Sequence, residues 1–313
     1  MSTWVIGAGG LLGRNVAHAV SRGGHLWQPG TPLAWDRPDT PDQLVAGLGE
    51  FVRYAAPGPW AVAWCAGAGV TATPQRAFEA ELAAQRAFVH AVAQLPEAVR
   101  SRGALFLASS AGGLYAGSPD PAPYDEASTP LPLAPYGRAK LAAENLFGAL
   151  AEQGVAVAVG RIANLYGAGQ NLTKAQGLLT AACRSVLTGR PLGIYVPMDT
   201  LRDYLSAADA GNVIAGLIAD VADRRPPGVQ LKVIASGRAV TIASILGEVT
   251  RVAKRRPPVV LGASPAAAAQ VRDLRLRSLH RTGLDVHVRT TLPTGVAQIL
   301  ASLRALQRSG VAL

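Results

Sequence analysis

The 313-residue chain is short of cysteine, lysine and aromatic side chains. Its two cysteines, Cys65 and Cys183, are too few and too far apart to form a disulfide framework. Five histidines, at positions 18, 25, 90, 280 and 287, lack the paired spacing of metal ligands, so no metal centre is expected. No apolar run approaches the ~18 residues of a membrane-spanning helix. The first apolar strand begins at Trp4 with no basic leader or small-residue cleavage site before it, so the expectation is a soluble cytoplasmic protein. Aromatic residues make up 5% and nowhere interleave with basic ones, which argues against nucleic acid as a partner, even along the arginine-rich stretch 251–289. Only four of the 30 basic residues are lysine, so the net charge of +10 is carried by arginine. Two readings of that charge stay open: a solvated surface, or guanidinium forks gathered for an anionic ligand.

What is present begins at the first residues. A short apolar run, Trp4-Val5-Ile6, leads into Gly7-Ala8-Gly9-Gly10-Leu11-Leu12-Gly13, and apolar residues at helical spacing follow until Gly23-Gly24. That is a strand, a glycine turn and a helix. Glycines at 7, 10 and 13 allow a tight turn, close approach to a pyrophosphate, and a helix seated against the sheet. The helix start then offers free N–H groups to the phosphates, with Leu11, Leu12 and Arg14 around them.

The alternation continues. Strands are predicted at 24–27, 33–35, 60–64, 104–108 and 155–162, and helices at 41–54, 74–95 and 135–152. Buried strands alternating with helices predict an α/β fold, a doubly wound parallel sheet covered on both faces. Ala66 lies two residues past the strand 60–64, at the edge where such sheets take their ligands. Beyond 164–167 the rhythm changes: helices are predicted at 177–187, 207–221, 242–253 and 295–306, and extended segments at 192–196 and 231–235. This part reads as a smaller C-terminal α/β lobe over the strand ends. The first body spans 1–165, with 199–222 returning to it; the lobe takes 166–198 and 223–313.

The stretch Tyr136-Gly137-Arg138-Ala139-Lys140 carries the chemistry. In a helix Tyr136 and Lys140 share a face. An ammonium there stabilises a tyrosinate, which makes a phenol usable as an acid or base beside a carbinol or carbonyl. The plain alternative is an exposed helical pair; the helix begins about 25 residues after a strand ending in Ser109-Ser110, a context that favours the catalytic reading.

On these residues the chain resembles the extended short-chain dehydrogenase/reductases, the NAD-dependent epimerase/dehydratase group that modifies nucleotide sugars. The matching stretches are the Gly7/Gly10/Gly13 turn, the strand end from Ser109 to Tyr115, Tyr136 with Lys140, residues 160–167, and Leu201-Arg202-Asp203-Tyr204 through Asp209. The resemblance implies a Rossmann domain, a bound NAD or NADP, a nucleotide-sugar substrate, a small substrate lobe and often a homodimer. It implies Tyr136 as the proton-transfer residue, Lys140 as its partner, Asn164 facing the sugar, Tyr195 beside the base, and Arg202 and Arg272 on the diphosphate. Each has a bland counterpart: core packing for Tyr195, a strand-end turn for Asn164, solvation for the arginines.

The chain also departs from the pattern. The serine or threonine expected four residues before Tyr115 is Ala111, with Ser110 adjacent as a substitute; otherwise Ser109 and Ser110 merely close the strand. A family asparagine is replaced by Glu81, which leaves open a catalytically weakened coenzyme-binding sensor or assembly protein. Gly112 and Gly113 occupy the places of the acid/base pair that dehydration needs, leaving epimerisation or 4-keto-sugar reduction. At the ribose end, Gln28-Pro29 stands where an acid is usual. Asp36 either reads the ribose or ends a strand at 33–35 near the adenine. In the second case nothing acidic repels a 2′-phosphate, and Arg14 is free to bind one.

Overall fold

The computed structural model of the protein describes residues 1–67, 69, 75–172, 177–264, 270–311 and 313. The first half runs β1 (Ser2–Ile6), α1 (Leu11–Ser21), β2 (His25–Trp27), α2 (Thr40–Ala55), β3 (Trp60–Trp64), α3 (Gln75–Ala93), a single turn α4 (Glu97–Arg100), β4 (Gly103–Ser110), a second single turn α5 (Ala111–Leu114), α6 (Pro135–Gly148) and β5 (Ala156–Ile162). The second half runs β6 (Asn164–Tyr166), α7 (Leu178–Thr188), β7 (Leu192–Ile194), β8 (Leu201–Ser206), α8 (Ala207–Arg224), β9 (Val229–Ile234), β10 (Ala239–Thr241), α9 (Ile242–Ala253), β11 (Val259–Leu261), β12 (Asp273–Leu274) and α10 (Leu292–Arg308). Of the helix expected over 74–95, Pro74 lies outside the described residues. No helix among the described residues is long and apolar enough to cross a membrane.

Six parallel strands form the main sheet in the order β2-β1-β3-β4-β5-β9. Its two faces are sorted by side-chain size. Ala61 and Ala63 of β3, with Ala104 and Phe106 of β4, point to the side carrying α1 and α8. Trp60, Val62 and Trp64, with Leu105 and Leu107, point to the side carrying α2, α3 and α6. Period-two alternation in fully buried strands produces this split, with helices covering both faces.

Two expectations about the sheet are corrected. Residues 33–35 form no strand: the segment between β2 and α2 is turns and irregular backbone, flanked by Pro32 and Pro38. Trp35 there lies edge-on to Trp64, ring centroids 6.3 Å apart, and covers the sheet rather than extending it. The segment 229–234, assigned from sequence to the smaller lobe, is β9, the sixth strand of the main sheet, paired in parallel with β5 from Val157↔Val229 to Ile162↔Ile234. A short strand is placed by its ladder partner, which local pattern does not reveal.

The edge strand β9 carries a fully buried lysine. Lys232 donates from Nζ to Ser278 Oγ at 2.7 Å and to the His280 carbonyl at 2.9 Å, and pairs with Asp285 at 2.8 Å. A buried ammonium is tolerated when its donors are matched in this way.

A separate apolar core holds α7, α9 and α10 together through Leu179, Cys183, Ile245, Val249, Ile299 and Leu303. The smaller sheets connect it to the strand ends: β8 pairs with β6, β10 and β12, and β7 pairs with β11.

Candidate active site

The glycine turn follows β1 directly. Gly7 has φ +89°, the left-handed region that glycine adopts without strain. A Cβ there would lie 2.6 Å from the Ala66 nitrogen, and one on Gly13 would lie 2.1 Å from the Gly7 carbonyl oxygen. The turn is thus pressed against buried Ala66 at the end of β3, and α1 is seated on the turn. Gly10 donates to the Gly7 carbonyl at 2.9 Å and caps α1 without a side chain. The cap supplies no side-chain acceptor, so among the described residues the first N–H groups of the helix, at half-buried Leu11 and Leu12, are left to a ligand or water. A turn closed to a Cβ at Gly7 and Gly13 but open at the helix start fits a pyrophosphate. Arg14 folds back over the turn, donating to the Gly10 and Gly9 carbonyls at 3.3 Å each. Asp36 lies exposed in the irregular segment between β2 and α2, so it does not end a strand at 33–35.

The Tyr136–Lys140 pair sits on α6, which starts with Pro135 at a favoured first-turn position. A Cβ on Gly137 would meet the Gly113 carbonyl oxygen at 2.0 Å, so this glycine lets α6 pack onto α5. Tyr136 lies beside Gly113 and 6.1 Å from the Phe78 ring. Lys140 Nζ stands 5.9 Å from the Tyr136 ring centroid and 3.4 Å from Glu81 Oε1. Burial works to lower the Lys140 pKa, but the charges of Tyr136 and Glu81 outweigh it, and the net direction is upward. Burial also pushes the Cys65 thiol up to about 12, against the pull of Lys140.

At the end of β4, Ser110 Oγ accepts from the Gly113 N–H at 3.2 Å and caps α5, which leaves its own proton free to donate. Ala111 is fully buried. The Ser109 hydroxyl is buried with no hydrogen-bond partner among the described residues.

The expected substrate residues separate into two kinds. Asn164 heads β6, beside Gly112, and hydrogen-bonds the Tyr204 phenol, whose pKa burial pushes up to about 12. Arg202 is 7% exposed. It donates to the Leu201 carbonyl at 2.8 Å and to Gln270 Oε1 at 3.2 Å, and burial lowers its pKa. Its hydrogen bonds go to neutral oxygens, while the charge of nearby Asp273 works against the effect of burial. Arg272 instead is exposed and paired with Asp199. Tyr195, 55% exposed over Gly193 and Gly262, is not core packing.

The family model for the NAD dependent epimerase/dehydratase family matches residues 3–230. The chain belongs to this family. Among solved structures, MoeE5 in complex with UDP-glucose and NAD is 23% identical, with a TM-score of 0.79, covering 98% of this chain and 100% of that one. The Thermus thermophilus UDP-glucose 4-epimerase with NAD is 20% identical at TM-score 0.76, covering 97% and 99%. RMD from Pseudomonas aeruginosa with NADPH is 20% identical at 0.75, again covering 97% and 99%. At these identities the likeness shows a shared Rossmann-like fold. No curated protein sequence matches the chain.

Beneath the site of this family member lies a network that sequence reasoning missed. Arg161 on β5 pairs with Glu144 on α6 at 2.8 Å and donates to the Tyr115 hydroxyl at 3.0 Å. That hydroxyl donates to the Asp125 carbonyl at 2.7 Å. The available signals were an arginine inside an apolar strand and Glu144 four residues after Lys140 on one helical face.

Proposed function

We propose that the protein is an NAD(P)-dependent enzyme that epimerises a nucleotide sugar or reduces its 4-keto form. One observation carries the reading: the glycine turn and the Tyr136–Lys140 pair meet across two residues at the end of β3. Ala66 abuts Gly7, and a Cβ on the next residue, Gly67, would lie 3.2 Å from Lys140 Nζ. A coenzyme anchored at α1 by Gly7, Gly10, Gly13 and Arg14 therefore extends toward the phenol.

The nicotinamide, when bound, supplies the hydride acceptor and donor. Tyr136 takes the proton of the sugar hydroxyl and returns it. Lys140 stabilises the negative charge that develops on the phenol oxygen. Ser110 donates to the reacting sugar oxygen, the part for which Ala111 has no hydroxyl. Asn164 faces the sugar, Tyr195 the base, and Arg202 the diphosphate; Arg272 joins once it exchanges Asp199 for a phosphate. Residues 1–165, 199–222 and β9 hold the coenzyme, and the remainder holds the sugar nucleotide.

A second reading, a coenzyme-binding protein with weakened catalysis, is favoured by Ala111. The two separate when purified protein is given NAD with UDP-glucose and other sugar nucleotides, or NADPH with a 4-keto-sugar nucleotide. Product analysis and reduced-nicotinamide absorbance are the readouts. Turnover is expected, and Tyr136→Phe lowers it by about 10²–10⁴ while coenzyme binding persists. Coenzyme binding without turnover of any sugar nucleotide supports the second reading; unchanged turnover in Tyr136→Phe refutes the first.

A further inference from the structure

Lys140 is 8% exposed, and removing an ammonium from water favours its neutral form. A lysine that must hold its charge in such a place needs a counter-charge. The Glu81 carboxylate reaches it from a different helix, α3, with side chains 10% and 18% exposed for Lys140 and Glu81. Both groups close on the same spot, because a Cβ on Gly67 would stand 3.2 Å from Lys140 Nζ and 3.2 Å from Glu81 Oε1. Among the described residues, the other titratable groups acting on the ammonium are Tyr136 from its own helix and Cys65 from the end of β3. The thiol is neutral at ordinary pH, since burial pushes it up to about 12. The next acid along α6, Glu144, is occupied by Arg161.

We infer that Glu81 is a positioning residue whose carboxylate keeps the buried Lys140 protonated and holds it beneath the Tyr136 ring. This rests on the reading of Lys140 as the partner of Tyr136. The asparagine of the family pattern is neutral and has no charge with which to hold the ammonium. In this chain the working charge of Lys140 therefore depends on a second titratable group. Glu81 also offsets part of the ammonium's field at the phenol, so the pair trades strength of activation for a charge that persists at alkaline pH.

The chain has only four lysines, at 140, 174, 232 and 254. Lysine labelled with ¹³C at Cε therefore gives four NMR resonances, and K140M identifies the one that matters. Its titration is followed in the wild type, E81Q and E81D, without coenzyme. The E81Q side chain matches glutamate in shape, and its Lys140 midpoint is expected to fall by about one pH unit or more. E81D, with the carboxylate on a shorter stem, recovers part of the shift. An unchanged midpoint in folded E81Q overturns the inference. So does a wild-type Lys140 midpoint below that of ordinary lysine, a result that needs no variant and stands even if E81Q does not fold.

A functional consequence follows for whichever sugar nucleotide turns over: the alkaline limb of the kcat profile moves to lower pH in E81Q. A shifted midpoint without any turnover leaves the inference on Glu81 intact and counts against the enzymatic reading alone. Turnover with an unmoved midpoint does the reverse.

Discussion

Gly13→Ala tests the seating of α1 on the glycine turn. Gly13 is the third residue of α1, where alanine would ordinarily stabilise a helix by up to about 1 kcal/mol. The structure opposes that gain. The new Cβ would meet the Gly7 carbonyl oxygen at 2.1 Å and the Gly7 carbonyl carbon at 2.6 Å. Both are backbone atoms fixed by β1, so ordinary contact distance requires α1 to retreat by about 1 Å. Overpacking of this kind costs roughly 1–3 kcal/mol. Net of helix propensity, a loss of about 1–2 kcal/mol is expected, equal to roughly 1.5–3 °C in Tm at an unfolding entropy of about 2.1 cal/mol/K per residue. The matched control is Gly9→Ala, where an added Cβ meets no heavy atom within 4 Å. It should leave Tm unchanged. Thermal unfolding followed by circular dichroism reads both, and calorimetric titration with NAD reads the displaced N–H donors as an affinity loss of about tenfold or more. A Gly13→Ala protein as stable as the wild type, or more so, refutes the close-approach argument.

Two further outcomes bear on the support beneath the site. Arg161→Met leaves the Glu144 carboxylate buried and unpaired, both side chains being under 10% exposed, and should cost about 3–5 kcal/mol in urea unfolding. Replacing Glu144 by leucine as well should recover part of that loss, whereas a single variant within about 1 kcal/mol of wild type would contradict the pairing. For Asp125, burial raises the pKa, but hydrogen bonds from Arg277, the Ala127 N–H and Ser128 hold it below the ordinary 3.8. A depressed carboxylate contributes stability above its unfolded value and loses it as pH falls through the folded one. The stability gap between wild type and Asp125→Asn should therefore be wide at about pH 6 and narrow at about pH 2. A gap of equal size at both would deny the ionised carboxylate its role.

Local pattern made much of the first half legible. β3 is the expected 60–64 because Trp60 to Trp64 is a continuous apolar run between turn residues, and the glycine turn is read from spacing alone. What failed was non-local. Leu33-Ala34-Trp35 has strand-like composition, but no ladder partner takes it up. β9 gives no local sign that it joins β5 rather than the smaller sheets. At the site, Tyr136 and Lys140 are neighbours on one helix, so their meeting follows from period. Glu81 and Lys140 lie 59 residues apart, and their contact depends on how α3 packs on α6. Arg202 and Arg272 look alike in sequence. One is buried with its hydrogen bonds to neutral oxygens and the other is exposed and paired with Asp199, a difference set by tertiary environment.

The late arrival of β9 has a consequence for how the chain is made. While the polypeptide emerges from the ribosome, β5 presents an open edge until residues 229–234 appear. Even then Lys232 brings an ammonium into the interior whose counter-ion, Asp285, has yet to be synthesised. The six-stranded sheet is therefore complete only once residues 229–234 have paired with β5. The buried ammonium on this edge strand is matched by a carboxylate 53 residues further along the chain, so strand and counter-charge have to arrive in turn.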